Sequence, residues 1–197
     1  METKFNTLKK RILEEEFSNL NAPQREACFT TNGAVLILAG AGSGKTTTLI
    51  SRIQYMIKYG DSYNTAYLPE GLTEDKLKAM EGKNYRELTE EEEFFLKYKP
   101  VSPYNILAIT FTNKAAGELK SRLSSKLGTY GEGVFASTFH SLCVRILRQE
   151  IEVLGYNRYF TIFDTTDARN CIKECIAELN INEETMDPRT CAGIISS

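Results

Sequence analysis

The sequence predicts an α/β fold, a parallel sheet flanked by helices. Three observations carry this expectation. Strand-like and helix-like segments alternate along most of the chain, the pattern of strands joined by helical crossovers. Two runs, 34–39 (AVLILA) and 105–111 (NILAITF), are apolar almost throughout, as strands covered on both faces are. A glycine-rich turn joins the first run to an amphipathic helical stripe.

The elements follow in order. Residues 4–18 read as a helix, and residues 21–29 begin a second, with Pro23 in a first-turn position that tolerates proline. Strand 34–39 leads through the turn into helix 45–59, whose stripe is Leu49, Ile50, Ile53, Met56 and Ile57. Residues 61–100 interrupt the alternation with a charged segment containing Pro69, Gly71, Gly82 and Pro100. Helices are expected there at 73–81 and 89–98, within a surface insertion. A long insertion costs little when its ends lie close together. Strand 105–111 precedes helix 113–127, with Ala115, Ala116, Leu119, Leu123 and Leu127 on one stripe. Gly117 weakens that helix by ~1 kcal/mol relative to Ala. Strand 133–138 (GVFAST) precedes helix 139–154, which carries Leu142, Ile146, Leu147 and Ile151. Residues 159–163 (YFTIF) read as a fourth strand, and Asp164 or Thr165 as the cap of a helix reaching Leu179. Ligands of such sheets bind at the carboxyl ends of the strands. The glycine turn and the ends of 105–111 and 133–138 fall on that edge.

At 197 residues the chain has room for one domain and part of another. Its hydrophobic content of 42% and charged content of 25% are ordinary for a globular protein. No stretch approaches the ~20 apolar residues of a membrane span. The charged amphipathic N-terminus lacks a signal core, so a cytoplasmic location is expected. Five scattered cysteines (Cys28, Cys143, Cys171, Cys175, Cys191) fit reduced thiols better than a disulfide framework. Cys171 and Cys175 share a helix face without further ligands to complete a metal site, and are expected to pack in the core. The net charge of −2 is neutral on nucleic acid. Residues 61–100 hold ten acidic and six basic residues, whereas 105–150 hold six Lys/Arg against three Glu. That basic bias is modest, and a solvated helix face explains it equally well.

The turn reads Ala39-Gly40-Ala41-Gly42-Ser43-Gly44-Lys45-Thr46. Strand, glycine turn and helix form the context of a phosphate-binding loop. Successive backbone N–H groups converge on phosphate oxygens, and the following helix points its positive end at the same anion. Lys45 is placed for the β- and γ-phosphates, and the Thr46 hydroxyl for Mg²⁺. Ala39 stands where glycine is commonest and adds only a methyl group. Two strand–helix junctions share a second pattern, Thr110-Phe111-Thr112-Asn113 and Ser137-Thr138-Phe139-His140. Hydroxyls and helix N-termini suit phosphates, and Phe111 and Phe139 offer stacking faces to bases. Taken singly, each Phe reads rather as a core residue, and His140 as a capping or packing residue.

Together the segments 20–27 (LNAPQREA), 39–46, 106–119 (ILAITFTNKAAGEL) and 136–142 (ASTFHSL) resemble consecutive motifs of UvrD/Rep/PcrA-type superfamily 1 DNA helicases, in matching order and spacing apart from the insertion. The segments beginning at Thr161 and Asp187 resemble the family's passage into a helical accessory subdomain. The resemblance implies an N-terminal helical extension (1–19), a first RecA-like ATP-binding domain with a P-loop parallel sheet (20–163, insertion 61–100), and the start of an accessory subdomain (164–197). It implies that Gln24 recognises adenine, and that Ala39, Gly40, Ala41, Gly42, Ser43, Gly44, Lys45, Thr46 and Thr47 surround the triphosphate, with Lys45 and Thr46 catalytic and Mg²⁺ on Thr46. Thr47 departs from relatives that carry Arg there. Thr110, Phe111, Thr112, Asn113, Thr138, Phe139 and His140 become single-stranded DNA contacts. The implied whole is an ATP-dependent 3′–5′ helicase of the bacterial cytosol or nucleoid. It would act on single strands and single/double-strand junctions, with a second RecA-like domain completing the ATP cleft. An AddA/RecB-type helicase–nuclease motor, or a P-loop kinase that never touches DNA, are the alternatives. An Asp-Glu pair after an apolar strand is missing, since Thr165 follows Asp164, so residues 1–197 alone are expected to hydrolyse ATP little.

Overall fold

The computed structural model describes residues 1–182 and 186–195. The described residues form two compact units, divided after Leu142. The expected accessory segment 164–197 includes residues 183–185 and 196–197, which lie outside the described residues.

In the first unit, helix α1 (Glu2–Glu16) presents Phe5, Leu8, Ile12 and Leu13 on its buried stripe. Helix α2 (Ala22–Phe29) starts at a capping box, in which the Asn21 side chain accepts from the Gln24 N–H and the Gln24 side chain accepts from the Asn21 N–H. Helix α3 (Lys45–Tyr59) has the bounds its stripe predicts. Within the insertion, α4 (Glu74–Glu81) and α5 (Glu90–Phe95) start at Thr73 and Thr89, whose hydroxyls accept first-turn N–H groups.

The insertion is not a loose surface loop. Leu72, Leu77, Met80, Phe95 and Leu96 pack into one core with α1, with Cys28 and Phe29 of α2 and with Tyr55 and Tyr59 of α3. Its two ends meet. Gly60 bridges Tyr98, the Asp61 N–H donates to Tyr98 O at 2.8 Å and the Tyr98 N–H to Tyr59 O at 2.9 Å. Only glycine fits at this crossing, because its φ is +67° and a Cβ would stand 2.1 Å from Tyr98 O. Asp61 then accepts from Thr31, Asn32 and Thr65. Glu16 joins the same seam from α1, taking bonds from Lys58 at 3.1 Å and from the Tyr59 hydroxyl.

Lys9 is enclosed in this core. Its ammonium donates to Asn6 Oδ1 and Thr65 O and lies 4.0 Å from the Tyr67 ring centroid. Burial pulls it down to about 8, Lys10 adds to the shift and Asp61 opposes it. An unfolded lysine titrates near ~10.4. Between those values the folded chain binds fewer protons than the unfolded one, so this group makes stability rise with pH. The stability of the unsubstituted chain relative to Lys9→Met, read by urea titration, is expected to climb from about pH 8 to about pH 10.4. A gap that does not vary with pH contradicts this.

Strands β1 (Leu107–Thr110) and β2 (Phe135–Thr138) pair in parallel, with Leu107 opposite Phe135 and Thr110 opposite Thr138. Helix α6 (Asn113–Leu127) and the short α7 (Thr129–Glu132) connect them. A second core, including Ile50, Ile53, Ala108, Leu119, Leu123 and Ala136, holds α3 and α6 against this pair. Helix α8 (Phe139–Glu150) follows β2.

Three expectations need correction. Residues 34–39 are not a strand: they pair with no neighbour among the described residues, and Leu36 and Leu38 are 82% and 86% exposed. Residues 159–163 are not a strand either. An apolar run forms a strand only where a partner accepts its ladder bonds, and β1 and β2 are the only strands among the described residues. The run 105–111 is covered on one face only, with Ala108 buried and Leu107 and Ile109 exposed. What is established is an α/β fold with a small parallel sheet.

In the second unit, α9 (Thr165–Glu178) starts at Asp164, whose carboxylate accepts from the Thr166 and Asp167 N–H groups, as the capping expectation required. Helix α10 (Pro188–Ile195) packs against α9. Arg158 holds Glu152 through two bonds of 2.9 and 2.6 Å. Cys171 and Cys175 are exposed on α9, contrary to the expectation of core packing.

Candidate nucleotide and nucleic-acid site

The glycine turn stands at the N-terminus of α3, fully on the surface. Ala39, Gly40, Ala41, Gly42 and Ser43 are exposed, as are Lys45, Thr46 and Thr47 in the first helical turn. Gly42 and Gly44 have left-handed backbone, with φ of +75° and +81°, which turns the chain tightly into the helix. Among the described residues no side chain caps α3, so its first N–H groups lack a side-chain acceptor. Lys45 is curled back onto the loop, donating to Ala39 O at 3.0 Å and Gly40 O at 2.6 Å. Ser43 closes the same turn through its hydroxyl, 2.7 Å from Gly40 O. An ammonium held only by loop carbonyls, beside uncapped helix N–H groups, is a donor set suited to a polyanion. The residues present therefore fit a nucleotide triphosphate, with the Thr46 hydroxyl available for its metal.

Gln24 is brought onto this loop. Its Nε2 donates to Ser43 O at 2.9 Å, and a Cβ on Gly44 would stand 2.9 Å from that nitrogen. The carboxamide thus spans the start of α2 and the loop, keeping one N–H and one lone pair for another partner.

The register of the sheet settles the second grouping. Thr110 and Thr138 are directly opposed, so the segments 110–113 and 138–141 leave the same end of the sheet side by side. Each opens a helix by the same device. The Thr112 hydroxyl accepts from the Ala115 N–H at 3.1 Å, and the Thr138 hydroxyl accepts from the Ser141 N–H at 3.3 Å. Thr110 donates to Thr112 O at 3.1 Å. Phe111 is 99% exposed and Phe139 57% exposed, so neither is a core residue. Asn113 is exposed, and His140 lies edge-on to Phe139 with ring centroids 6.2 Å apart.

A family model described as the UvrD/REP helicase N-terminal domain matches residues 20–68 and 86–197. The chain belongs to this family. All four motif segments of the UvrD/REP resemblance fall inside the matched residues. Residues 1–19 and 69–85 fall outside them, and these two stretches share the core described above. The chain is 40% identical over 94% of its length to the ATP-dependent DNA helicase PcrA of Bacillus subtilis (strain 168). It is 40% identical over 91% of its length to PcrA of Staphylococcus epidermidis, and 39% identical over 91% to PcrA of Staphylococcus aureus (strain Mu50). It spans about a fifth of the length of these UvrD/REP relatives.

One residue with a structural claim on the site escapes the motif reading. Arg52, on α3, donates through Nη1 to Ala27 O and Thr30 O at the C-terminal end of α2. The signal for it was the short second helix, whose last carbonyls require donors from elsewhere. Burial pushes the neighbouring Cys28 thiol up to about 12, so it stays un-ionised beside this guanidinium.

Proposed function

We propose that this chain is the nucleotide-binding part of an ATP-dependent 3′–5′ DNA helicase, in which ATP turnover drives movement along single-stranded DNA. The observation that carries the reading is the pairing of Thr110 with Thr138, which sets two Phe-bearing turns and two helix N-termini at one end of a sheet. A small-molecule kinase has no use for that pair of turns.

Lys45, Thr46 and the loop 39–44 bind the triphosphate. Gln24 addresses the base, and Thr47 lines the same turn. Lys45 must leave Ala39 O and Gly40 O to reach the phosphates, so binding exchanges two neutral acceptors for charged ones. Mg²⁺, which the Thr46 hydroxyl would help to hold, neutralises charge on the phosphates when bound. Thr110, Thr112, Asn113, Thr138 and His140 hold the strand's phosphates and sugars, while Phe111 and Phe139 stack on its bases.

We further propose that the small parallel sheet belongs to a RecA-like domain. The corresponding division is a helical extension (1–19), an ATP-binding domain (20–163) and the start of an accessory subdomain (164–197). A second RecA-like domain would close the ATP cleft, single/double-strand junctions would be the working substrate, and the cytoplasm the location.

The test is DNA binding by fluorescence anisotropy with a labelled oligonucleotide at several salt concentrations. Phe111→Ala is expected to weaken binding about tenfold, the loss of one stacked base worth ~1–3 kcal/mol. The salt dependence should stay unchanged, because no phosphate contact is removed. Unchanged affinity in the Phe111 variant removes the stacking role.

A further inference from the structure

The last carbonyls of α2 cannot be bonded within the helix, and each donor they find ties α2 to something else. Arg52 supplies Ala27 O and Thr30 O, and Asn64 Nδ2 supplies Phe29 O at 2.9 Å. Arg52 stands two turns beyond Lys45 on α3. Its guanidinium is therefore a strut from the helix that carries the phosphate-binding lysine to the far end of the helix that carries Gln24. At the near end, Gln24 Nε2 reaches Ser43 O in the loop. Helix α2 is only 8 residues long and buries only Cys28 and Phe29. Its own buried residues lie at its C-terminal end, where the Arg52 and Asn64 donors add to the packing, and Leu20 is buried just ahead of its start.

We propose that Arg52 is a positioning residue for base recognition: it fixes the pitch of α2 so that the Gln24 carboxamide meets the edge of adenine while Lys45 holds the phosphates. The inference rests on the nucleotide-site reading above and adds a determinant of base preference to it. A carboxamide matches adenine, which presents a donor and an acceptor together, and mismatches guanine, which presents two acceptors on the same edge. The backbone amides and Lys45 hold phosphates whatever the base. A shift in the pitch of α2 therefore changes the preference between nucleotides and leaves the common phosphate affinity in place. Lysine at position 52 keeps the charge but lacks the planar fork that serves two carbonyls at once.

The test measures anisotropy of fluorescently labelled ATP and GTP, each with Mg²⁺, on the unsubstituted chain, Arg52→Lys, Gln24→Ala and the double variant, with urea unfolding of each. The expected result is an ATP affinity about tenfold lower in Arg52→Lys, with GTP affinity within about twofold. Gln24→Ala should give the same selective loss, and the double variant no more than either alone. Should Arg52→Lys fail to fold, Asn64→Ala loosens the same end of α2, and a smaller loss in the same ATP-to-GTP ratio is expected. An unchanged ratio in the folded variants, including an equal fall for both nucleotides, overturns the proposal and leaves Arg52 a cap. An unsubstituted chain that binds neither nucleotide fails the nucleotide-site reading itself, and one that binds both equally fails the base role of Gln24; either outcome overturns this inference.

Discussion

Lys45→Ala is expected to abolish ATP hydrolysis by the full-length protein and to leave the fold intact. The side chain is exposed, and among the described residues its bonds are to Ala39 O and Gly40 O, two surface carbonyls that water can serve. Removing it therefore costs little stability. Its effect on phosphate chemistry is of another size. A preorganised donor aimed at developing charge is worth about 2.7–4 kcal/mol, or about 10²–10³ in rate, and an ammonium facing a triphosphate belongs at the upper end. A steady-state ATPase assay with single-stranded DNA present, beside a urea unfolding curve, separates the two effects. Normal turnover in the variant removes the phosphate-loop assignment. A collapse of stability shows that the lysine serves the fold instead.

Phe17→Ala is expected to destabilise the chain by about 3–5 kcal/mol, the range for a fully buried phenylalanine. Phe17 ends α1, and its ring lies edge-on to Phe29 at 5.6 Å and to Tyr55 at 5.8 Å. It is the point where the N-terminal helix, the Gln24 helix and the phosphate-loop helix touch. Against a total stability of ~5–15 kcal/mol, that loss is a large fraction. The expected readout is a lower midpoint in urea with an unchanged slope. A change below about 1 kcal/mol would mean that α1 is an appendage and not part of the core.

The helices were legible because their signals are local. Asn21 with Gln24, Thr73, Thr89 and Asp164 all cap where a short polar side chain precedes an apolar stripe. Helix α3 runs between Lys45 and Tyr59 as its periodicity requires. The strands were less legible because apolarity does not name a partner. The run 107–110 found one in 135–138, while 34–39 and 159–163 found none among the described residues. The opposition of Thr110 and Thr138 was implied by parallel topology, yet the capping roles of Thr112 and Thr138 were not separable from ligand roles in sequence. Arg52 was hidden for a related reason. Its partners are backbone carbonyls, which carry no mark in a list of residue types. The packing role of segment 61–100 was not legible, because the helix that completes its core lies some fifty residues upstream.

The bridge between Gly60 and Tyr98 makes the insertion a cassette that enters and leaves the chain at a single point. Excision there would need no rebuilding of the flanking backbone. It would, however, strip the cover from Phe5, Leu8 and Ile12 and turn α1 into a greasy, sticky flap. The N-terminal helix and the insertion thus depend on each other for cover.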